Sequence, residues 1–183
     1  VLLLPLLQNL TSPVIQQRFA ETSVLNSLTP IEQSNAARAA AGDTLLARVV
    51  YHRYWFELQL LTQQYLKHLN LNFLFTHGDV NPRHSSQYFG QLYYLDAVFI
   101  LLGAVFLWRN HRKWAVYLLG WWLIATLPAA LTIAAPHALR SLPALPVWLW
   151  LIAYGITEVT KRSMWLMVAI VVAYSISLGW FWS

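Results

Sequence analysis

The chain has 183 residues, 58% of them hydrophobic and 10% charged, with a formal charge of +5 and no cysteine. A soluble domain carries roughly 25% charged residues, so the composition points to lipid, and the missing cysteines exclude disulfides, thiolate metal sites and cysteine nucleophiles. Lysines and arginines are scattered or sit beside apolar runs, without the aromatic interleaving of a nucleic-acid groove, so nucleic acid is not an expected partner.

VLLLPLLQNL, residues 1–10, reads as the last turns of a hydrophobic helix. It has neither the basic leader nor the small-residue cleavage site of a signal peptide. The expectation is the end of a truncated transmembrane helix, in a piece of a longer membrane protein.

Residues 11–91 are more polar and hold half of the basic residues and most of the acidic residues and histidines. Thr29-x-x-Glu32 with Pro30 between them predicts a capping box and a helix running to about residue 41, which Gly42 ends. Asp43 is placed to cap a second helix, from Thr44 to about residue 69. Its mid-helix cluster of Tyr51, Tyr54, Trp55 and Phe56 suits a helix lying in the membrane interface. An ordinary core helix of a small outer domain accounts for it equally well. His52, Glu57 and His68 on this helix read as solvated or interfacial side chains. FLFTHGDVNPRHSSQYFGQLYYL follows, loop-forming by its Gly, Asn, Pro and Ser content.

Four apolar runs complete the chain: residues 92–108, 114–135, 141–157 and 163–183. Crossing ~30 Å of hydrocarbon takes about 20 residues at ~1.5 Å rise each. The second and fourth runs are long enough alone. The first and third are shorter, and the third contains Pro143 and Pro146. Ten tryptophans and nine tyrosines fit the aromatic belts of a bilayer interface. The predicted fold is all-α and multi-pass, with about four complete transmembrane helices plus the partial one at the start. Residues 11–91 form an outer-side helical and loop segment, and residues 92–183 the four-helix transmembrane region. The basic loops at 109–113 and 160–162 belong in the cytoplasm by the positive-inside rule. Residues 11–91 and the 136–140 turn are then extracytoplasmic, on a plasma (inner) membrane protein.

Two polar constellations stand out on that outer side. In PHALRSLPALP, His137 and Arg140 are three apart and share a face of any helical turn. Pro136 favours a helix start, whose free N–H groups suit an anion such as phosphate. Pro143 and Pro146 deprive the carbonyls of Leu139 and Leu142 of their usual partners, which a membrane tolerates only inside protein or beside a wet cavity. A snorkelling arginine with an interfacial histidine at an ordinary turn fits the same residues. In THGDVNPRHS, His77, Asp79 and His84 are of metal-ligating type for zinc or manganese, although their spacing matches no strong signature. Arg83 and His84 also suit a phosphate or sugar, and the stretch suits a plain Asx-type turn. Asp96, one turn into the first complete span, reads as a structural hydrogen-bonding group.

FLFTHGDVNPRHS, FGQLYYLDAVFILLG and LPAALTIAAPHALRSLPALP, in this order and spacing, resemble the carboxy-terminal half of bacterial GT-C glycosyltransferases. These are the multi-pass enzymes related to protein mannosyltransferases and to aminoarabinose transferases of lipid A. The similarity covers residues 15–160. Its most specific part is Pro136-His137-x-x-Arg140-x-x-Pro143-x-x-Pro146, followed by Gly78-Asp79-x-Asn81-x-Arg83-His84.

The resemblance implies inverting transfer of a sugar from a polyprenyl-phosphate carrier to an acceptor protein or glycolipid on the outer face. No cofactor is expected, a divalent metal at the His77, Asp79 and His84 loop being the minor alternative. In that family an acidic residue in the first outer loop serves as base or orients the acceptor. No residue here corresponds to it, so the catalytic base is expected upstream of Val1 and neither Glu57 nor Asp79 takes its place. Such a fragment is expected to be inactive alone. The expected substrate-binding residues are Arg140, whose rigid fork suits phosphate, His137 as a donor to the departing oxygen, and Arg83 with His84 as a closing loop. A membrane transporter fragment and a non-catalytic membrane scaffold are the competing readings.

Overall fold

The computed structural model describes residues 12–161 and 163–182. The helix end expected at residues 1–10 lies outside them. Among the described residues the structure is all-α, and its one extended pairing is an isolated antiparallel bridge between Ser23 and Thr132.

The chain divides into two compact units. One comprises the chain up to Lys67 together with Ala130–Ala135, and the other His68–Ala129 with Pro136–Ser183. The boundary expected at residue 91 does not coincide with this division, since residues 68–91 group with the long apolar helices.

In the first unit, α1 (Pro13–Thr22) leads through a 3-10 turn, Val24–Asn26, into α2 (Thr29–Ala40), α3 (Leu45–Val50) and α4 (Arg53–Lys67). The extended bridge is held by Val24 N–H to the Leu131 carbonyl at 2.8 Å and Ile133 N–H to the Thr22 carbonyl at 2.9 Å. α2 begins where the sequence places it, but Thr29 is its first helical residue and Leu28 the cap. The expected capping box is therefore not the device that starts it. Ala40 and then Gly42, at φ +75°, end the helix as expected.

The helix expected from Thr44 to residue 69 is two helices. Thr44, not Asp43, caps the first, its hydroxyl accepting from Ala47 N–H at 3.2 Å, while Asp43 pairs with Arg48 at 2.7 Å. The break falls at Tyr51, whose carbonyl accepts from the Ser34 hydroxyl at 2.5 Å. Ser34 is 1% exposed, so this is a tertiary hydrogen bond taking the place of a helical one.

In the second unit, a π-type turn at Asn72–Thr76 precedes the polar loop. α5 (Tyr94–Asn110), α6 (Arg112–Ala130), a short α7 (Ala138–Ser141), a 3-10 turn at Leu142–Ala144, α8 (Leu145–Thr160) and α9 (Met164–Trp182) follow. α5 and α8 pack along their length at a crossing where side chains are missing. A Cβ on Gly103 would overlap the Leu151 carbonyl, and one on Gly155 the Phe99 carbonyl. Small residues at matching positions let two backbones approach, as in membrane helix pairs.

α7, the 3-10 turn and α8 run on as one helix, Ala138–Thr160, of 23 residues. It is long and apolar enough to cross a membrane by length and composition, and among the described residues it is the one that is; Met164–Trp180 is apolar but shorter. The third run, one of the two shorter ones and the one with two prolines, thus forms the longest apolar helix among the described residues. Its prolines are absorbed near the start: Pro143 sits inside the 3-10 turn, and the Leu142 carbonyl accepts a tightened bond from Leu145 N–H. The Pro143 carbonyl accepts from the Trp121 indole at 3.2 Å.

Candidate functional site

The π-type turn positions the polar loop. Phe73, Leu74 and Phe75 are buried with Ala138 in one apolar cluster, and Leu92 N–H donates to the Leu74 carbonyl at 2.8 Å. The loop 77–91 therefore leaves and returns beside the start of the 138–160 helix. Gly78 opens it at φ +76°, where a Cβ would also meet Ser85 and the Phe89 carbonyl, so only glycine fits.

The loop is wound by its own side chains. Asp79 Oδ1 accepts from Asn81 N–H at 2.9 Å, and Asn81 Oδ1 accepts from Arg83 N–H at 3.0 Å. His84 N–H reaches the Asn81 carbonyl at 2.9 Å. Successive Asx-type turns of this kind are what Asp-x-Asn-Pro favours, and they turn the chain so that His84 faces back over Asp79. Gln87, at φ +68°, holds a left-handed backbone unusual for a side chain of its type. Its amide donates to the Asp79 carbonyl at 2.6 Å and its N–H to the Ser85 hydroxyl at 3.2 Å, which ties that conformation down.

Asp79 is the centre of the site. Its carboxylate is 4% exposed by residue, and Oδ2 accepts from the backbone N–H of Ala138, fifty-nine positions away, at 2.8 Å. The helix start that the sequence offers to a phosphate is thus occupied by the protein's own carboxylate, which corrects the expectation of an open anion site there. His84 Nδ1 lies 3.4 Å and His137 Nδ1 3.7 Å from the same oxygen, beyond ordinary hydrogen-bond length. The two imidazoles stack, with centroids 4.7 Å apart and planes at 27°. Both Nδ1 atoms are buried and lack a hydrogen-bond partner. Behind them, His68 is 3% exposed, and its Nε2 accepts from His137 N–H at 3.3 Å.

Burial raises the protonation point of Asp79, but the N–H groups of Ala138 and Asn81, then His137 and His84, outweigh it and hold the carboxyl below its usual range. For His137, burial and then the charge of Arg140 push protonation down, and nearby Asp79 opposes them only in part. The favoured state is a carboxylate facing a neutral His137.

Of the expected binding residues, the structure brings His84 and His137 together. Arg140 sits one turn beyond His137 and is half-buried, with no hydrogen bond or ion pair from its guanidinium among the described residues. Arg83 is exposed and held through its backbone N–H. His77, grouped by sequence with Asp79 and His84 as a possible ligand, is exposed and bonds Thr76 instead. His137 takes its place: Asp79, His84 and His137 each offer a ligand atom, all within 4.8 Å of one another. His68, read from sequence as solvated, is buried, with its Nε2 taken by the His137 N–H of the same unit. The Gly78-Asp79 pair was the available signal for Asp79, and no local pattern marks His68.

The same unit contains a cavity of about 580 Å³, lined mainly by Phe75, Phe89, Leu92, Leu149, Ile152 and Trp180, with Asp96 and Tyr174 as polar groups in its wall. No family model, curated protein or solved structure matches the chain.

Proposed function

We propose that the chain is the carboxy-terminal part of a multi-pass membrane glycosyltransferase that moves a sugar from a polyprenyl-phosphate carrier to an acceptor on the extracytoplasmic face. Its own contribution is to bind the carrier's phosphate. The observation carrying this reading is the meeting of the two motifs behind the resemblance, the Gly-Asp-x-Asn-x-Arg-His loop and the Pro-His-x-x-Arg turn, through Asp79 and the Ala138 N–H. Arg140 then remains as an uncommitted cation beside a pre-formed polar rim, and a fixed guanidinium lowers the barrier to building charge on a leaving phosphate.

The membrane part of the reading is supported by outward-facing apolar surface. Only 22% of the 18-residue apolar window within the 138–160 helix is buried, where a core helix of a soluble protein would be mostly covered. Val98, Leu101 and Val105 on α5, Val116, Leu119 and Ile124 on α6, and Trp165, Val171 and Ile176 on α9 are all exposed. Surface of that extent requires lipid or a partner. In the first unit Leu45, Leu46 and Val49 are exposed together on α3, in keeping with a helix lying in the interface. The apolar cavity has the chemistry to accept part of an isoprenoid chain.

The test is binding of undecaprenyl phosphate, against undecaprenol, to the purified chain in detergent. Loss of a charge-assisted contact costs about 1.5–3 kcal/mol, so Arg140→Ala weakens the phosphate roughly tenfold to a hundredfold and leaves the alcohol unchanged. Equal binding of phosphate and alcohol by the unaltered chain removes the proposed function.

A further inference from the structure

We propose that Asp79, His84 and His137 form a binding site for a single divalent metal ion of the zinc class, with a fourth position left for water or another oxygen ligand. Three features of the cluster lead there, and none depends on sugar transfer.

The first is geometry. Zinc bonds of about 2.0–2.2 Å to nitrogen and oxygen, in a tetrahedron, set neighbouring ligand atoms about 3.3–3.6 Å apart. Asp79 Oδ2 lies 3.4 Å from His84 Nδ1 and 3.7 Å from His137 Nδ1, too far for hydrogen bonds and close to a tetrahedral edge. An octahedral magnesium ion at about 2.0–2.1 Å would require edges of about 2.9 Å. The ligand atoms lie within 4.8 Å of one another, and imidazole χ2 rotation is soft enough to close the longest separation.

The second is the two orphaned nitrogens. A buried polar atom left unpaired forfeits the hydrogen bonds it had in water, and here two such Nδ1 atoms turn towards one carboxylate oxygen. A metal ion takes both lone pairs at once. A shared proton does not, because both nitrogens stand too far from Oδ2.

The third is support from outside the ligand set. Asp79 is oriented by Asn81 N–H on one oxygen and Ala138 N–H on the other, and its carbonyl by Gln87. The His137 backbone is fixed by His68 through its N–H and by Ser141 through its carbonyl. Ligands held this way need little reorganisation to bind. The three ligands come from two segments of one unit, so metal binding would also staple the polar loop to the start of the 138–160 helix.

The experiment uses the chain purified in detergent, stripped with chelator, and titrated with zinc alone against a chromophoric competitor, with magnesium and calcium in parallel. The expected result is one zinc per chain, no competition from magnesium or calcium, and a tetrahedral ligand-field spectrum when cobalt(II) replaces zinc. His84→Ala and His137→Ala each weaken zinc by more than the roughly tenfold to hundredfold lost when only an outer-shell group is changed. His77→Ala, an exposed imidazole of the same loop, leaves binding unchanged. His84 lies in the loop and is partly exposed, so its variant decides the matter if His137→Ala fails to fold, with circular dichroism as the check. Substoichiometric zinc, an octahedral cobalt spectrum, or unaltered affinity in folded His84→Ala overturns the site.

Discussion

Asp79 and Asp96 are both buried carboxylates beside the start of an apolar helix, 4% and 5% exposed, and each accepts a backbone N–H there. At Asp96 the arrangement is closed. Oδ2 takes Tyr93 N–H at 2.8 Å and Oδ1 takes the Tyr174 hydroxyl at 2.5 Å, so each oxygen has one short partner. At Asp79 both oxygens are also taken, but by backbone N–H groups, and two imidazoles lean on Oδ2 without reaching it. The first is a helix cap with a side-chain clasp, as the sequence suggests for Asp96. The second has coordination capacity left over. What separates a structural acid from a candidate site is thus the unused valence of the groups around it, since burial and helix position are alike.

Asparagine in each position separates the two cases, and the larger effect belongs to Asp79. An amide has one acceptor oxygen and a donor NH2. At residue 79 both oxygen positions face backbone N–H groups, which cannot accept, so Asp79→Asn sets a donor against a donor whichever way it turns. The expected cost is about 1–3 kcal/mol of unfolding free energy, read by denaturant titration in mixed micelles, together with loss of zinc binding. A stability change below about 0.5 kcal/mol with intact zinc affinity would make the two aspartates equivalent and erase the distinction.

That distinction is only half written in the sequence. Local signals carried much of the local structure: the first, third and fourth apolar runs gave helices near their expected ends, while the second stopped at Ala130, five residues early, where Thr132 pairs with Ser23. Gly42 stopped α2, and Gly78-Asp79-x-Asn81 made its Asx-type turns. Failures came where a distant group overrode a local preference. The Ser34 hydroxyl takes the Tyr51 carbonyl and splits one expected helix into two. Pro143 and Pro146 look like interruptions, yet prolines near a helix start remove few hydrogen bonds, and the third apolar run became the longest. At the site, sequence proximity grouped His77 with Asp79 and His84, whereas the fold supplies His137 and buries His68. A window of ten residues has no means of pairing residue 79 with residue 138.

A smaller effect is expected from the clasp on the other acid. Tyr174→Phe removes the hydroxyl that satisfies Asp96 Oδ1 and leaves the ring to pack as before. The lost bond and the less satisfied carboxylate together lower stability by about 1–2 kcal/mol. Zinc affinity stays at the parent value, because Tyr174 and Asp96 belong to the cavity wall and not to the histidine cluster. A fall in zinc affinity in this variant would mean that the two acids form one coupled network, and the contrast drawn between them would fail.

Asp96→Asn is expected to have the smallest effect, and the reason turns on which partners can reverse their roles. The amide oxygen can take the place of Oδ2 and accept from Tyr93 N–H, which has no other option. The NH2 then faces Tyr174, whose hydroxyl both donates and accepts, so rotation of one O–H bond restores the pair. No donor is left against a donor, and one negative charge fewer has to be kept at the edge of an apolar helix. The expected change in unfolding free energy is within about 0.5 kcal/mol of zero, measured in the same micelles as Asp79→Asn. A loss as large as that of Asp79→Asn would show that the charge on Asp96, not its hydrogen-bond count, is what the fold uses, and would move Asp96 from cap to functional candidate.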